Sequence, residues 1–420
     1  MQQLFLGGMM DLPNLTSLNM NMEMVLLPYM RMLLTPKLTK LSTRLDYPEN
    51  EAEEDLYERL AQSLLSSLPI TSPNLQHLEL KVYSDVPYVV SPPTLIACQG
   101  LCASIQSLIL PECCFDINEV LEILGNASAL TSLDVGLSSS SSNHGSKIIT
   151  NLKSLVIHVE TQHSALDFIE GVSLVHLNTM HVLVTSCSDS PSHSVLRFSA
   201  AVLQSCNVSQ LSQFTLDWEL ATETQFSPII VEQSIASFLP FHKMKSFRIG
   251  ILEPTSHESL LFNITPDFWH RMMTSWPRLT DLDLQSVNPP SHWVPKLKLT
   301  TDLVNLITTC SELCSVKVDF DFDCEAEQLL SSRPCRLQAL PKEVSVIYIQ
   351  VRKAIAKKPK LVAAILSDST VLDVRIRSDW LGSSEDEMRH RREWEDVNEC
   401  LSVLTMLRKR EHARLEQVCK

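Results

Sequence analysis

Three aspartates alternate with phenylalanine in the segment DFDFDC, at Asp319, Asp321 and Asp323, an arrangement that resembles the start of a calcium-binding loop. Such a loop needs glycine at its sixth position for the turn and a bidentate glutamate at its twelfth. This chain has Cys324 and Leu330 there, so the coordination geometry fails, and a strand end with its carboxylates in water is the better reading. Cys98 and Cys102, and Cys310 and Cys314, have CxxxC spacing, but no matching His or Cys pair completes a zinc site. The sequence holds no HExxH, no GxSxG and no phosphate-cradling glycine loop, and only 9 of its 420 residues are glycine. The thirteen histidines are scattered. No nucleophile–base set or carboxylate pair can be argued into proximity. The reading is therefore a non-enzymatic chain with no catalytic residue, no cofactor and no metal.

The polar residues must be positioned by something, and the sequence supplies it. An apolar residue at i is followed by others at i+3 and i+5, as in Leu75, Leu78 and Leu80, and again in Leu279, Leu282 and Leu284. The last two have strand period and point to one face. Leading residues of the triplet are Leu15, Leu38, Leu75, Ile105, Leu130, Leu152, Leu177, Leu211, Met244, Leu279, Leu313, Val344 and Val371, separated by 22 to 37 residues. Between triplets the apolar spacing turns helical, as in Ile117, Val120, Leu121 and Leu124, in Phe268, Met272, Met273 and Trp276, and in Leu303, Leu306 and Ile307 before Cys310. Parallel strands need such crossovers. The predicted fold is α/β: a leucine-rich-repeat solenoid with a curved parallel sheet on the concave face and helices on the convex face.

In that register the residues at i+2, i+4 and i+6 face outward. Toward the N-terminus they include His77, Glu79, Lys81, Ser132, Asp134, Ser154, His158, Thr179 and His181; later come Gln213, Asp217, Arg248, Asp281, Asp283, Ser315, Lys317 and Asp319. The candidate partner-binding residues are Asp217, Arg248, Asp281, Asp283, Lys317 and Asp319 on the concave face. Four of these six are aspartates, which predicts a basic protein surface as the partner.

Composition bounds the rest. A net charge of −14 argues against nucleic-acid binding. No apolar run approaches the length of a membrane span, and Met1–Met10 carries no positive charge, so neither a membrane nor a secretory signal is read. Twelve cysteines without such a signal read as reduced thiols, which places the chain in the cytoplasm or nucleus. Residues 1–380 are assigned to the repeat domain, with an insertion helix at about 49–68 on the spacing of Leu56, Leu60, Leu64 and Leu68. Residues 381–420 are assigned to a charged capping helix with Trp394, Val397, Leu401 and Leu404 on one stripe. The first triplet begins without a polar cap before it, which suggests that something precedes it or packs on it.

From Phe262 to Asp323 the chain reads FNITPDFWHRMMTSWPRLTDLDL and then PKLKLTTDLVNLITTCSELCSVKVDFD. Trp276, Pro277 and Leu279, then Cys310 and Leu313, lead successive strands. This resembles the leucine-rich F-box-type proteins of mushroom-forming fungi, and the tail REWEDVNECLSVLTMLRKRE is similar too. The resemblance implies a substrate receptor of a cullin-type ubiquitin ligase, in which an F-box docks on the adaptor subunit and the repeats hold the substrate. No Leu-Pro-x-Glu start followed by a three-helix pattern is found, so adaptor binding is expected only if an F-box is supplied upstream. The alternative is a free-standing repeat scaffold unrelated to ubiquitin.

Overall fold

The computed structural model describes residues 14–22, 33–46, 59, 63–83, 88–89, 104–138, 147–185, 191–219, 229–252, 259–287, 293, 295–297, 302, 304–310, 312–319, 347–350 and 374–376. The capping helix assigned to 381–420 lies outside these residues. The chain divides into two compact units, Met1–Ser186 with Gln204–Asn207, and Cys187–Leu203 with Val208–Lys420. Both units are built on parallel β-sheet with helical crossovers.

The first unit carries strands β1 (Ser17–Met22), β2 (Lys40–Asp46), β3 (His77–Tyr83), β4 (Tyr88–Val89), β5 (Ser107–Asp116), β6 (Ser132–Ser138), β7 (Lys147–Ile149), β8 (Ser154–Val159), β9 (Val172–Leu174) and β10 (Thr179–Val184). The main sheet runs β1-β2-β3-β5-β6-β8-β10, and β4 joins the far end of β5. The second unit orders β11 (Gln213–Trp218), β13 (Ser246–Ile251), β15 (Asp281–Leu284), β16 (Ser315–Asp319), β17 (Ile347–Gln350) and β18 (Val374–Ile376), with β12 (Ile229–Val231) and β14 (Leu261–Asn263) paired separately. Every pairing described between these strands is parallel, and along the main sheet the pairings join equivalent positions of successive triplets, with a register shift in β5 after Leu110. Leu18 meets Leu41, Leu41 meets Leu78, and Leu78 meets Leu108. In the second unit Phe247 meets Leu282, and Leu282 meets Val316. Val318 meets Ile349, and Ile349 meets Ile376, so the i+5 positions of the last three triplets pair in one register.

The register has a backbone signature. At most leaders from Leu15 to Leu279, the carbonyl of the following residue accepts two N–H bonds from the next repeat. Thr16 accepts from Thr39 and Lys40, Gln106 from Thr131 and Ser132, and Thr280 from Cys314 and Ser315. This shared acceptor fixes where each strand begins. Turn side chains repeat across neighbours as well: Asn74 donates to the Pro36 carbonyl and Asn151 to that of Ser128.

Burial explains why the triplet is apolar. All three positions are buried from the leader at Leu38 to that at Leu313, including Leu177, Met180 and Val182 at 0% exposure. The triplet at Leu38 closes with a buried Thr43 in place of an aliphatic residue. Each buried aliphatic contributes roughly 1.5–3 kcal/mol before chain entropy. Leu18 and Met20 in β1, at the end of the sheet, are only half-buried.

Crossover helices cover the same inner face. Helix α1 (Ile117–Asn126) buries Ile117, Val120, Leu121, Ile123 and Leu124, the stripe expected from its spacing. Asp116 starts it by accepting from the Asn118 amide, while Glu119 reaches back to the Asp116 amide. Helix α2 (Gln162–Glu170) is capped by Thr161, and α3 is Pro191–Ser205. The short α4 (Glu232–Ala236) precedes α5 (Pro266–Ser275), where Thr265 is the cap and Pro266 takes the first turn. In α6 (Val304–Thr309) Leu306 is buried. The insertion helix is seen over residues 63–71, where Leu64 and Leu68 are buried as their spacing predicts. Leu56 and Leu60 lie outside the described residues.

The second unit replaces much of the aliphatic core with rings. Phe214 lies 4.4 Å from Phe238 and 5.6 Å from Phe247, and Phe247 lies 4.8 Å from Trp276. Such contacts add about 0.5–1.5 kcal/mol each beyond area burial. A hydrogen-bonded column crosses the repeats here. The Cys310 thiol donates to the Trp276 carbonyl at 3.5 Å, and Trp276 Nε1 donates to the Phe238 carbonyl at 3.3 Å.

Candidate functional site: the outward strand faces

With the triplets turned inward, alternation leaves rows of side chains on the other side of each sheet. In the second unit one row runs Thr215, Arg248, Asp283, Lys317 in direct register. Lys317 Nζ lies 3.1 Å from Asp283 Oδ2, and Arg248 Nη1 lies 3.8 Å from the same oxygen. Arg248 also turns diagonally, so that Nε donates to Asp217 Oδ1 at 2.8 Å. Asp217 pairs with Gly250, where a Cβ would meet Asp217 Oδ1 at 3.5 Å and Arg248 Nε at 3.7 Å, both ordinary contact distances.

Four of the six candidate residues are therefore one alternating chain of charges, Asp217–Arg248–Asp283–Lys317. Asp281 is exposed at the start of β15 and accepts from the Thr280 hydroxyl at 2.7 Å. Two expectations need correction. Asp217, read as facing outward with the rest, is 3% exposed and sits under Arg248. Asp319, read as a strand-end carboxylate in water, is 5% exposed, and its Oδ2 accepts from the Ser286 amide at 2.9 Å. The Ser286 hydroxyl in turn accepts from the Phe262 amide at 3.2 Å. Burying a carboxylate is costly unless hydrogen bonds satisfy it, and this one ties β16 to the segments after β15 and at β14. Asp321 and Asp323 lie outside the described residues.

In the first unit the middle outward row runs Asn19, Ser42, Glu79, Ile109, Asp134, Val156, His181. Glu79 accepts from the Ser42 hydroxyl at 2.7 Å and pairs with Lys81 at 2.8 Å. Those bonds hold its carboxyl below the usual 4.5. His77, beside it, is held below 6.5 by burial and then by the nearby charge of Lys40. His158 lies 2.9 Å from Asp134 and pairs in register with Gly136. That repeats the device of the second unit, in which a residue opposite a glycine contacts the side chain two positions before that glycine.

Lys40 and Arg44 belong to this surface and are missed by a reading that begins at His77. The signal that finds them is the leader Leu38, which puts positions 40, 42 and 44 on the outward face. Burial pushes the Cys206 thiol up to about 12 and the Cys310 thiol up to about 11, which keeps both protonated and inert. Among the described residues no group of three or more His, Cys, Asp or Glu is placed to hold a metal ion, and no helix is long and apolar enough to cross a membrane. Neither the models of known protein families nor the curated proteins return a match to this sequence.

Proposed function

We propose that this chain is a leucine-rich-repeat interaction protein that holds a protein partner on its outward strand faces, in the manner of the substrate-binding repeats of an F-box receptor. The carrying observation is the division of labour along each strand. Ten successive triplets, from the leader at Leu38 to that at Leu313, are buried, while polar residues such as Glu79, Asp134, His158, Arg248, Asp283 and Lys317 stay accessible on the opposite face. A regular row of polar groups on a fixed scaffold suits recognition of an extended protein surface more than it suits a reaction. The chain is read as non-enzymatic and as cytoplasmic or nuclear.

Ligase adaptor binding in this reading requires an F-box supplied outside the present sequence. One Leu-Pro-x-Glu tetrad does occur, Leu340 to Glu343, but it leads into the strand Ile347–Gln350 instead of a helix. That observation favours the second reading, a repeat scaffold unrelated to ubiquitin. Affinity purification from native extract, followed by mass spectrometry, separates the two. It is run on this chain and on a version extended by upstream coding sequence. Adaptor and cullin subunits recovered with the extension support the receptor. A stable partner without ligase subunits supports the scaffold, and no partner from either version overturns the interaction reading.

A further inference from the structure

Of the four aspartates read on the outward face of the second unit, Asp281 stays exposed while the other three are engaged. Asp217 and Asp283 are matched by Arg248 and Lys317, and Asp319 is buried against a backbone amide. Among the described outward side chains of β2 and β3 in the first unit, cations outnumber carboxylates. On β2 and β3 the outward positions are Lys40, Ser42 and Arg44, paired in register with His77, Glu79 and Lys81. Among these side chains three are cationic and one is a carboxylate, in a chain whose net charge is −14. Lys40, Arg44 and Lys81 are all exposed. Glu79 is occupied by Lys81 and Ser42. Asp46, which ends β2, falls outside the side chains described.

The neighbouring strands change character. Ile109 on β5 pairs with Glu79 on one side and Asp134 on the other, Val156 follows on β8, and Leu183 lies opposite His158 on β10. These three aliphatic side chains are half-buried on the same outward face. The basic group is thus adjacent to Ile109, beyond which Asp134 separates it from Val156; strand spacing of about 4.8 Å puts Ile109 roughly 10 Å from the middle of β2. A nucleic acid would meet few cations and a carboxylate among them. A membrane would need exposed apolar groups around the cations, and the aliphatic residues here are recessed.

We infer that the outward face of β2, β3 and β5 docks an acidic protein segment, with its carboxylates over Lys40, Arg44 and Lys81 and an apolar side chain against Ile109. This inference rests on the proposed interaction function and reverses the partner charge expected from the aspartates of the second unit.

The test is selection from a random-sequence peptide display library against the full chain, followed by the same selection with Lys40→Glu/Arg44→Glu/Lys81→Glu. Far-UV circular dichroism and thermal melting establish that the variant is folded. Expected are peptides enriched in Asp and Glu with an aliphatic residue nearby, weakened about tenfold or more by the triple reversal and by raising salt. The milder Lys40→Gln/Arg44→Gln/Lys81→Gln variant, expected to weaken them less, carries the test if the reversal does not fold. Peptides without acidic enrichment, or acidic peptides that both variants retain, overturn the inference and leave the interaction reading standing. Equal binding of a single-stranded RNA or of vesicles with anionic lipid overturns it in favour of a general anion surface. Failure to select any peptide, with no partner recovered from extract, overturns both.

Discussion

Arg248 bonds Asp217 across a strand boundary at a diagonal, 2.8 Å from Nε to Oδ1, over the position where Gly250 has no side chain. The same arginine reaches Asp283 in direct register at 3.8 Å. The two contacts differ in worth, because the Asp217 side chain is 5% exposed and that of Asp283 is 19% exposed. Removing the guanidinium from a buried carboxylate costs more than removing an ammonium from a wetter one. Arg248→Ala is expected to lower unfolding stability by about 1–3 kcal/mol. Lys317→Ala should lower it by less than about 1 kcal/mol. Gly250→Ala should be tolerated, since its Cβ would meet Asp217 and Arg248 at ordinary contact distances. Urea midpoints of the three variants check the ordering, and equal losses for Arg248→Ala and Lys317→Ala would contradict it.

Neighbouring residues on β15 make the cleanest contrast between scaffold and surface. Leu282 is 1% exposed in the centre of its triplet, while Asp283 is partly exposed. Leu282→Asp places a charge in the core and should unfold the second unit, seen as loss of the cooperative melt. Asp283→Asn should keep the melt within about 1 kcal/mol of the original, at the level of a surface ion pair.

Asp319 is a structural carboxylate in this account. Asp319→Ala would strand the buried Ser286 amide, at a cost of about 1–3 kcal/mol. Asp319→Asn retains an acceptor and should recover part of the loss. Thermal melting of the two variants decides, and an Ala variant as stable as the parent would show that the amide finds another acceptor.

Acid should destabilise the first unit in two stages. The folded chain favours neutral His77, so the unfolded chain takes up that proton first as pH falls below 6.5, and stability declines there. Glu79 is held below 4.5 by Lys81 and Ser42, so its contribution persists above that value and is lost as pH falls through its folded pKa. His77→Gln should flatten the upper stage and leave the lower one. Melting temperatures of parent and variant at pH 7.5 and 5.5 test this, and parallel declines would contradict the assignment.

The repeat register was legible because burial forces it. Met180 and Val182, and Leu41 with the Thr43 that closes its imperfect triplet, occupy equivalent paired positions. The stripe of α1 was legible for the same reason. Outward alternation alone could not give the fate of Asp217 and Asp319. What buries them is supplied from 31 and 33 residues away, by Arg248 and the Ser286 amide. The short pairings β7–β9 and β12–β14 were also missed, since three-residue strands such as Lys147–Ile149 carry too little alternation to stand out. Residue type drew attention to four aspartates, three of which the fold pairs or buries. The basic residues at Lys40 and Arg44 needed the register before they could be placed together.

The central claim is that partners are held on the outward strand faces. Photo-crosslinking amino acids placed singly at Ser154 and Thr215, on outward strand positions, and at Asn118 and Glu122, on the exposed side of α1, test it most directly in native extract. The account predicts the same discrete crosslinked partner from one or both strand positions and none from the helix positions. Crosslinks from Asn118 or Glu122 alone would put the binding surface on the helices and contradict it.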